Sequence, residues 1–283
     1  MPLRHLHSAD RLVYQRSGPD NGIPLIWLPG VHGCWTPLEK ARSEFISAGI
    51  ALVEVAYPLF DDWSLEHYAT ALENLLDALE LDAVHLVGES FGSLVSWQFG
   101  LDRPSRVRSH LLVGGFCQAP RLRIAATAGL GLSLVWSPAF DTVVDAYVAW
   151  KGTRNETAEK PIGVKPYPAV RGARGQRATA NRMRLIQTSD FRRNLPDIRF
   201  PVRYVGGEND RVVPVKREVC TLERELPDAC GFDSALLPHA PHMISFSHPR
   251  ETASRIVRWV GDIENARANQ PPIITGNEAL EKM

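Results

Sequence analysis

Along the 283-residue chain, short apolar runs alternate with helix-sized amphipathic stretches. Six runs rich in β-branched residues and leucine, Ile23 to Leu28, Ile50 to Val55, Ala83 to Val87, His110 to Val113, Val202 to Val205 and Ala235 to Leu237, are bounded by turn residues and predict strands. Most are apolar at both alternating positions, as strands of a parallel sheet covered on both faces read. Between them, Ser64 is placed to N-cap a helix reaching about Leu79, with Leu65, Tyr68, Leu72, Leu75 and Leu79 on one face. Pro214 opens another helix that ends near Leu226. This βαβ rhythm predicts an α/β fold, a mostly parallel central sheet flanked by helices. Arg4 to Arg16 reads as an antiparallel hairpin at the sheet edge.

The rhythm breaks between Cys117 and Asp190, where an apolar run from Ile124 to Phe140, the aromatics Trp136, Phe140, Tyr147 and Trp150, and a proline-rich turn region from Pro161 to Pro168 follow one another. The expected organisation is a core made of residues 1–116 and 191–265, an inserted helical cap at 117–190 and a loose tail at 266–283. Leu130, Leu132, Leu134, Val135, Trp136 and Phe140 would roof the crevice, with Trp35, Tyr57, Phe60, Trp63 and Phe116 near it. For any one of these residues, packing the cap onto the core is an equally good reading. Arg171, Arg174 and Arg177 read as a solvated, glycine-interrupted basic loop.

Composition narrows the field. With 44% hydrophobic and 23% charged residues the chain has the make-up of an ordinary soluble enzyme. Lys and Arg (32) balance Asp and Glu (32), so no long-range field draws in nucleic acid. The apolar run 124–140 is shorter than the ~20 residues a membrane span needs. The amino terminus lacks a continuous apolar stretch of the secretory kind, and the four cysteines have no metal-ligand spacing. A cytoplasmic location and no metal are the expectations.

The chemistry lies in three places. Gly88-Glu89-Ser90-Phe91-Gly92 follows a predicted strand and precedes a helical segment. A serine on such a tight turn exposes its hydroxyl above the sheet, and the glycines avoid collision with neighbouring backbone. A hydroxyl is a weak nucleophile at neutral pH, so it needs a histidine to take its proton and a carboxylate to hold that histidine. Of nine histidines, His242 is best placed, after the last strand run and before a helix beginning near Pro249, with His239 as competitor. Asp210 follows Val202 to Val205 and is the expected acid, with Glu208 as alternative.

These motifs resemble the α/β-hydrolase family over about residues 10 to 265. The chain order Ser90, Asp210, His242 and the spacing from His242 to Pro249 fit that family. Leu28-Pro29-Gly30-Val31-His32-Gly33 resembles its oxyanion loop, with Pro29 in the usual histidine place. Ser93 stands where another glycine is usual. The resemblance implies backbone N–H donors at Val31 and Phe91, no cofactor, and a serine hydrolase acting on a small carboxylic ester with an apolar acyl group. Transfer of the acyl group to an alcohol, cleavage of a carbon–carbon bond by the same residues, or a binding protein that kept the fold are the alternatives.

Overall fold

The computed structural model describes residues 12–35, 38–118, 142 and 172–269. Seven strands form one sheet: β1 (Val13–Ser17), β2 (Ile23–Leu28), β3 (Ile50–Ala56), β4 (Val84–Glu89), β5 (Val107–Val113), β6 (Val202–Gly207) and β7 (Asp233–Leu237). Their order is β1-β3-β2-β4-β5-β6-β7, and every pairing is parallel except that of β1 with β3. All six expected strands are present, some a few residues longer. Of the expected amino-terminal hairpin, the described part is β1 at the sheet edge; residues 1–11 lie outside the described residues.

Among the described residues the α-helices are α1 (Arg42–Ser47), α2 (Leu65–Ala78), α3 (Gly92–Asp102), α4 (Gly172–Thr188), α5 (Val215–Glu225), α6 (Ile244–Ser247) and α7 (Pro249–Ala268). Ser64 caps α2 as expected: its hydroxyl accepts the His67 N–H at 3.3 Å, and His67 Nδ1 accepts the Ser64 N–H at 3.0 Å. Most of the expected cap lies outside the described residues, including 130–140, as does the tail from 270. The basic stretch is corrected. From Gly172 it is helical, because a buried stripe at Gly175, Ala178, Thr179, Arg182 and Leu185 recurs with helical period and anchors it.

Alternation along each strand divides the core into two layers. Ile26 and Leu28 of β2 pack on one side of the sheet with Tyr68, Leu72, Trp97 and Leu222. Leu25 and Trp27 pack on the other with Phe45, Ile256 and Trp259. Glu54 of β3 is a buried exception, held by Arg42 at 2.7 and 3.2 Å and by Gln15 at 2.9 Å. A buried carboxylate without such partners would be strongly destabilising. At the amino-terminal ends of the strands, His85 lies 2.7 Å from Ser109 and 3.2 Å from Glu264, which ties α7 to the sheet. None of the described helices is long and apolar enough to cross a membrane.

The strand order reverses between β2 and β4: β3 lies to one side of β2, while β4 to β7 extend to the other. Open α/β sheets form a crevice above the strand ends at such a reversal.

Buried histidines give the fold a pH dependence. His110 is fully enclosed beside Ser96 and Trp97, and burial pushes its pKa down to about 3 from an ordinary 6.5. Below pH 6.5 the unfolded chain takes up a proton that the native state refuses, so stability falls with pH by up to about 1.4 kcal/mol per pH unit for this group. Urea unfolding at pH 7, 6 and 5 should show a shallower decline in a His110→Gln variant than in the parent chain. Equal slopes would contradict it.

Candidate active site

Ser90 stands directly after β4, at the reversal in strand order, with φ of 50°. A left-handed backbone at a serine costs roughly 1–3 kcal/mol and must be held by its surroundings. Ser90 N–H donates to the Val113 carbonyl at 3.0 Å. Ser93, buried in the first turn of α3, lies 2.6 Å from the Ser90 carbonyl and accepts the Phe116 N–H at 3.0 Å. Ser93 thus joins the turn to the segment after β5. The Phe91 ring packs against Tyr57 and Tyr68, with ring centroids 5.7 and 5.6 Å away.

The two glycines of the motif are required by distance. A Cβ on Gly88 would lie 2.4 Å from Ser96 Oγ and 2.7 Å from Ser93 Cα. On Gly92 it would lie 2.2 Å from the Leu28 carbonyl oxygen and 2.8 Å from that of Pro29. Their absence lets α3 press against the loop that leaves β2. That loop turns tightly: Gly33 N–H donates to the Gly30 carbonyl at 2.9 Å, with Val31 and His32 at the corners. A Cβ on Gly30 would lie 3.4 Å from Ser90 Cβ, so the turn sits directly against the serine.

His242 and Asp210 reach Ser90 from two other strand ends. His242 Nε2 is 2.9 Å from Ser90 Oγ, and His242 Nδ1 is 2.7 Å from Asp210 Oδ2. The other carboxylate oxygen of Asp210 accepts N–H groups of Val212 and Val213 at 2.7 and 2.8 Å, so the acid is locked from behind. Its side chain is fully buried, while that of His242 retains 12% exposure. The loop after β7 carries His242 back across β6 because Gly207 lets it lie close: a Cβ there would be 2.3 Å from the Ala240 carbonyl oxygen and 2.4 Å from that of Pro241. Gly114 lies under the His242 ring, where its φ of 54° is the left-handed conformation glycine adopts freely. His239 and Glu208 are exposed and stand outside this relay. The His239 carbonyl accepts from Asn209 Nδ2, and the Glu208 N–H donates to Leu237.

Some residues around the relay were given no role by the sequence. Glu89 is buried, takes the Trp27 indole N–H at 3.3 Å and the Ser245 hydroxyl, and burial raises its pKa. His32 lies 3.9 Å from Glu89, and burial is the main cause of a pKa lowered to about 3, so it is neutral at neutral pH. Arg182 of α4 has no solvent exposure and donates to the Val31 carbonyl at 2.9 Å. Of the aromatics expected near the crevice, Tyr57 and Phe116 are buried in the core; Trp35, Phe60 and Trp63 are half-buried.

Comparison with known proteins agrees with the fold. The profile of the alpha/beta hydrolase family matches residues 25–255. A 2-hydroxy-6-oxo-2,4-heptadienoate hydrolase from Pseudomonas putida is 30% identical over 162 residues, which take in 54% of this chain and 56% of that enzyme. The chain therefore spans little more than half the length of that relative. Among solved structures, a carboxylesterase from the thaumarchaeon Nitrososphaera gargenis superposes with a TM-score of 0.72 at 13% identity, covering 94% of this chain and 100% of that one. A bromoperoxidase from Bacillus anthracis superposes with a TM-score of 0.72 at 17% identity, covering 88% and 95%.

The close approach at Gly92 is testable by paired substitutions. Gly92→Ala should lower stability by about 1–3 kcal/mol, because its Cβ meets backbone that cannot move aside. Gly261→Ala, in α7 where nothing lies within 4 Å, should raise it by about 0.4–1 kcal/mol. Urea unfolding compares the two, and a Gly92→Ala chain as stable as the parent would contradict the packing argument.

Proposed function

Since the chain belongs to the alpha/beta hydrolase family, we propose that it is a serine hydrolase that cleaves small carboxylic esters by way of an acyl-enzyme. The observation that carries this reading is the unbroken relay from Ser90 Oγ through His242 to Asp210, at 2.9 and 2.7 Å. An ionised Asp210 can only accept, so His242 carries its proton on Nδ1 and presents a bare Nε2 to the serine. Ser90 Oγ attacks the ester carbonyl carbon as its proton passes to Nε2. The imidazolium formed is held by Asp210, and the oxyanion takes hydrogen bonds from the backbone N–H groups of Val31 and Phe91. Collapse of the tetrahedral intermediate expels the alcohol, which leaves with the proton from His242. Water, activated by the same imidazole, then attacks the acyl-enzyme and releases the acid. No cofactor enters this sequence.

A second reading rests on the Pseudomonas putida relative. Hydrolysis of a 2-hydroxy-6-oxo-dienoate adds water to a ketone and breaks a carbon–carbon bond, and the same three side chains can move the protons that reaction needs. The carbon leaving group is poorer than an alkoxide, so such an enzyme depends on the electron-withdrawing dienoate as well as on the relay. Product analysis with a 6-oxo-dienoate separates the readings.

A panel of p-nitrophenyl esters from acetyl to dodecanoyl, read by p-nitrophenolate release, tests the first reading. Ser90→Ala should lose turnover by on the order of 10⁶-fold, with its thermal midpoint nearly unchanged. Asp210→Asn should lose about 10⁴-fold, because the amide favours the wrong imidazole tautomer. Hydrolysis surviving in Ser90→Ala would overturn the assignment. Silence across the panel with rapid cleavage of the 6-oxo-dienoate would favour the second reading.

A further inference from the structure

We propose that Arg182, a residue outside the catalytic relay, is a positioning residue for the oxyanion loop: its guanidinium grips the corner of the Gly30–Gly33 turn and holds a fixed positive charge behind it. The inference rests on the reading of Ser90 as the nucleophile and of Val31 as an oxyanion donor.

Arg182 has no solvent exposure, although arginine carries its charge throughout the accessible pH range. Such a charge is normally buried only with a carboxylate beside it. Among the described residues its guanidinium meets none. Nη1 donates to the Val31 carbonyl at 2.9 Å, Nη2 to the Pro58 carbonyl at 3.2 Å and Nε to the Tyr68 hydroxyl oxygen at 3.4 Å, while the guanidinium carbon lies 5.4 Å from the Tyr57 ring centroid. Each of these described partners is neutral.

The fork is aimed at one part of the loop. The turn is closed on one side by Gly33 N–H to the Gly30 carbonyl and tied to the end of β3 by Tyr57 N–H to the Gly33 carbonyl, both 2.9 Å. Neither bond takes the Val31 carbonyl, the oxygen of the central peptide of the turn, and Arg182 holds it. A residue has two soft dihedrals. Closing the turn before Val31 and holding its carbonyl after it restrains both, and so restrains the direction of its N–H. Gly33 makes room for the clamp: with φ of 75° it has no side chain, and a Cβ there would lie 2.7 Å from Nη1. The charge acts on the same region. Arg182 is one of the groups that disfavour protonation of His32, and the turn abuts Ser90. A cation one loop away from the reacting carbonyl favours the charged transition state over the neutral substrate, which is differential binding.

The test uses Arg182→Met and Arg182→Lys in the full chain, with thermal melts to establish the folded fraction. Arg182→Met should lose kcat by about 10²- to 10³-fold, the scale of a lost oxyanion donor, with KM within about threefold of the parent. Arg182→Lys keeps the charge without the fork and should recover part of that loss. A phenylboronic acid probe, which forms an anionic tetrahedral adduct on a nucleophilic serine, should bind more weakly in step with kcat/KM. Variants that melt earlier yet keep parental kcat, KM and boronate affinity would overturn the inference by reducing Arg182 to a packing element. Should Arg182→Met fail to fold, Arg182→Lys decides alone: parental kinetics and boronate affinity in it reject the clamp. Absence of a boronate adduct in the parent chain would instead overturn the reading of Ser90, and this inference with it.

Discussion

Backbone must approach backbone more closely at this site than any Cβ would permit, and the rest of the structure depends on that constraint. Three strand ends and one early loop converge on the Ser90 hydroxyl, and glycine marks each crossing. Gly88 and Gly92 seat the turn against α3 and the β2 loop, and Gly207 lets the His242 loop lie across β6. The left-handed Ser90 is tolerated because this packing, together with bonds to Val113 and through Ser93, leaves it no other position. The sheet topology supplies the place. The strand order reverses between β2 and β4, and the loops leaving both strands meet at that point.

Electrostatics near the site follow from the same close packing. On one side of the relay Arg182 lies behind the Val31 turn; on another, Glu89 is enclosed with Trp27, Ser245 and His32. Burial raises the Glu89 pKa and lowers that of His32, so both are biased toward their neutral forms. His242 is the histidine of this cluster with a carboxylate at hydrogen-bonding distance, Asp210 Oδ2 at 2.7 Å. The arrangement separates a group that can shuttle protons from groups that hold the frame.

Much of this could be read in the sequence because the signals are local. The strands stand out as apolar runs, since both faces of a parallel sheet are covered, and Ser64, Pro214 and Pro249 mark helix starts by their own chemistry. Ser90, Asp210 and His242 were each legible from position relative to a strand end. Gly207 was not, because its necessity is a contact with a loop more than thirty residues away in the chain. Arg182 was hidden for a different reason. Its neighbours Gly175, Ala178 and Leu185 recur with helical period and place it on the buried face of α4, but glycines and arginines in that stretch read as a solvated loop. An arginine falling in phase with an otherwise small and apolar stripe is the signal that would have revealed it.

The account turns on Ser90 being an activated nucleophile. The most direct measurement is the rate of labelling by a fluorophosphonate probe, with the adduct located by peptide mass spectrometry in the parent chain and in a His242→Ala variant. The account predicts one adduct, on the peptide bearing Ser90, formed quickly in the parent and slowly without His242. A folded parent chain that takes no label, or takes it equally fast without His242, would contradict it.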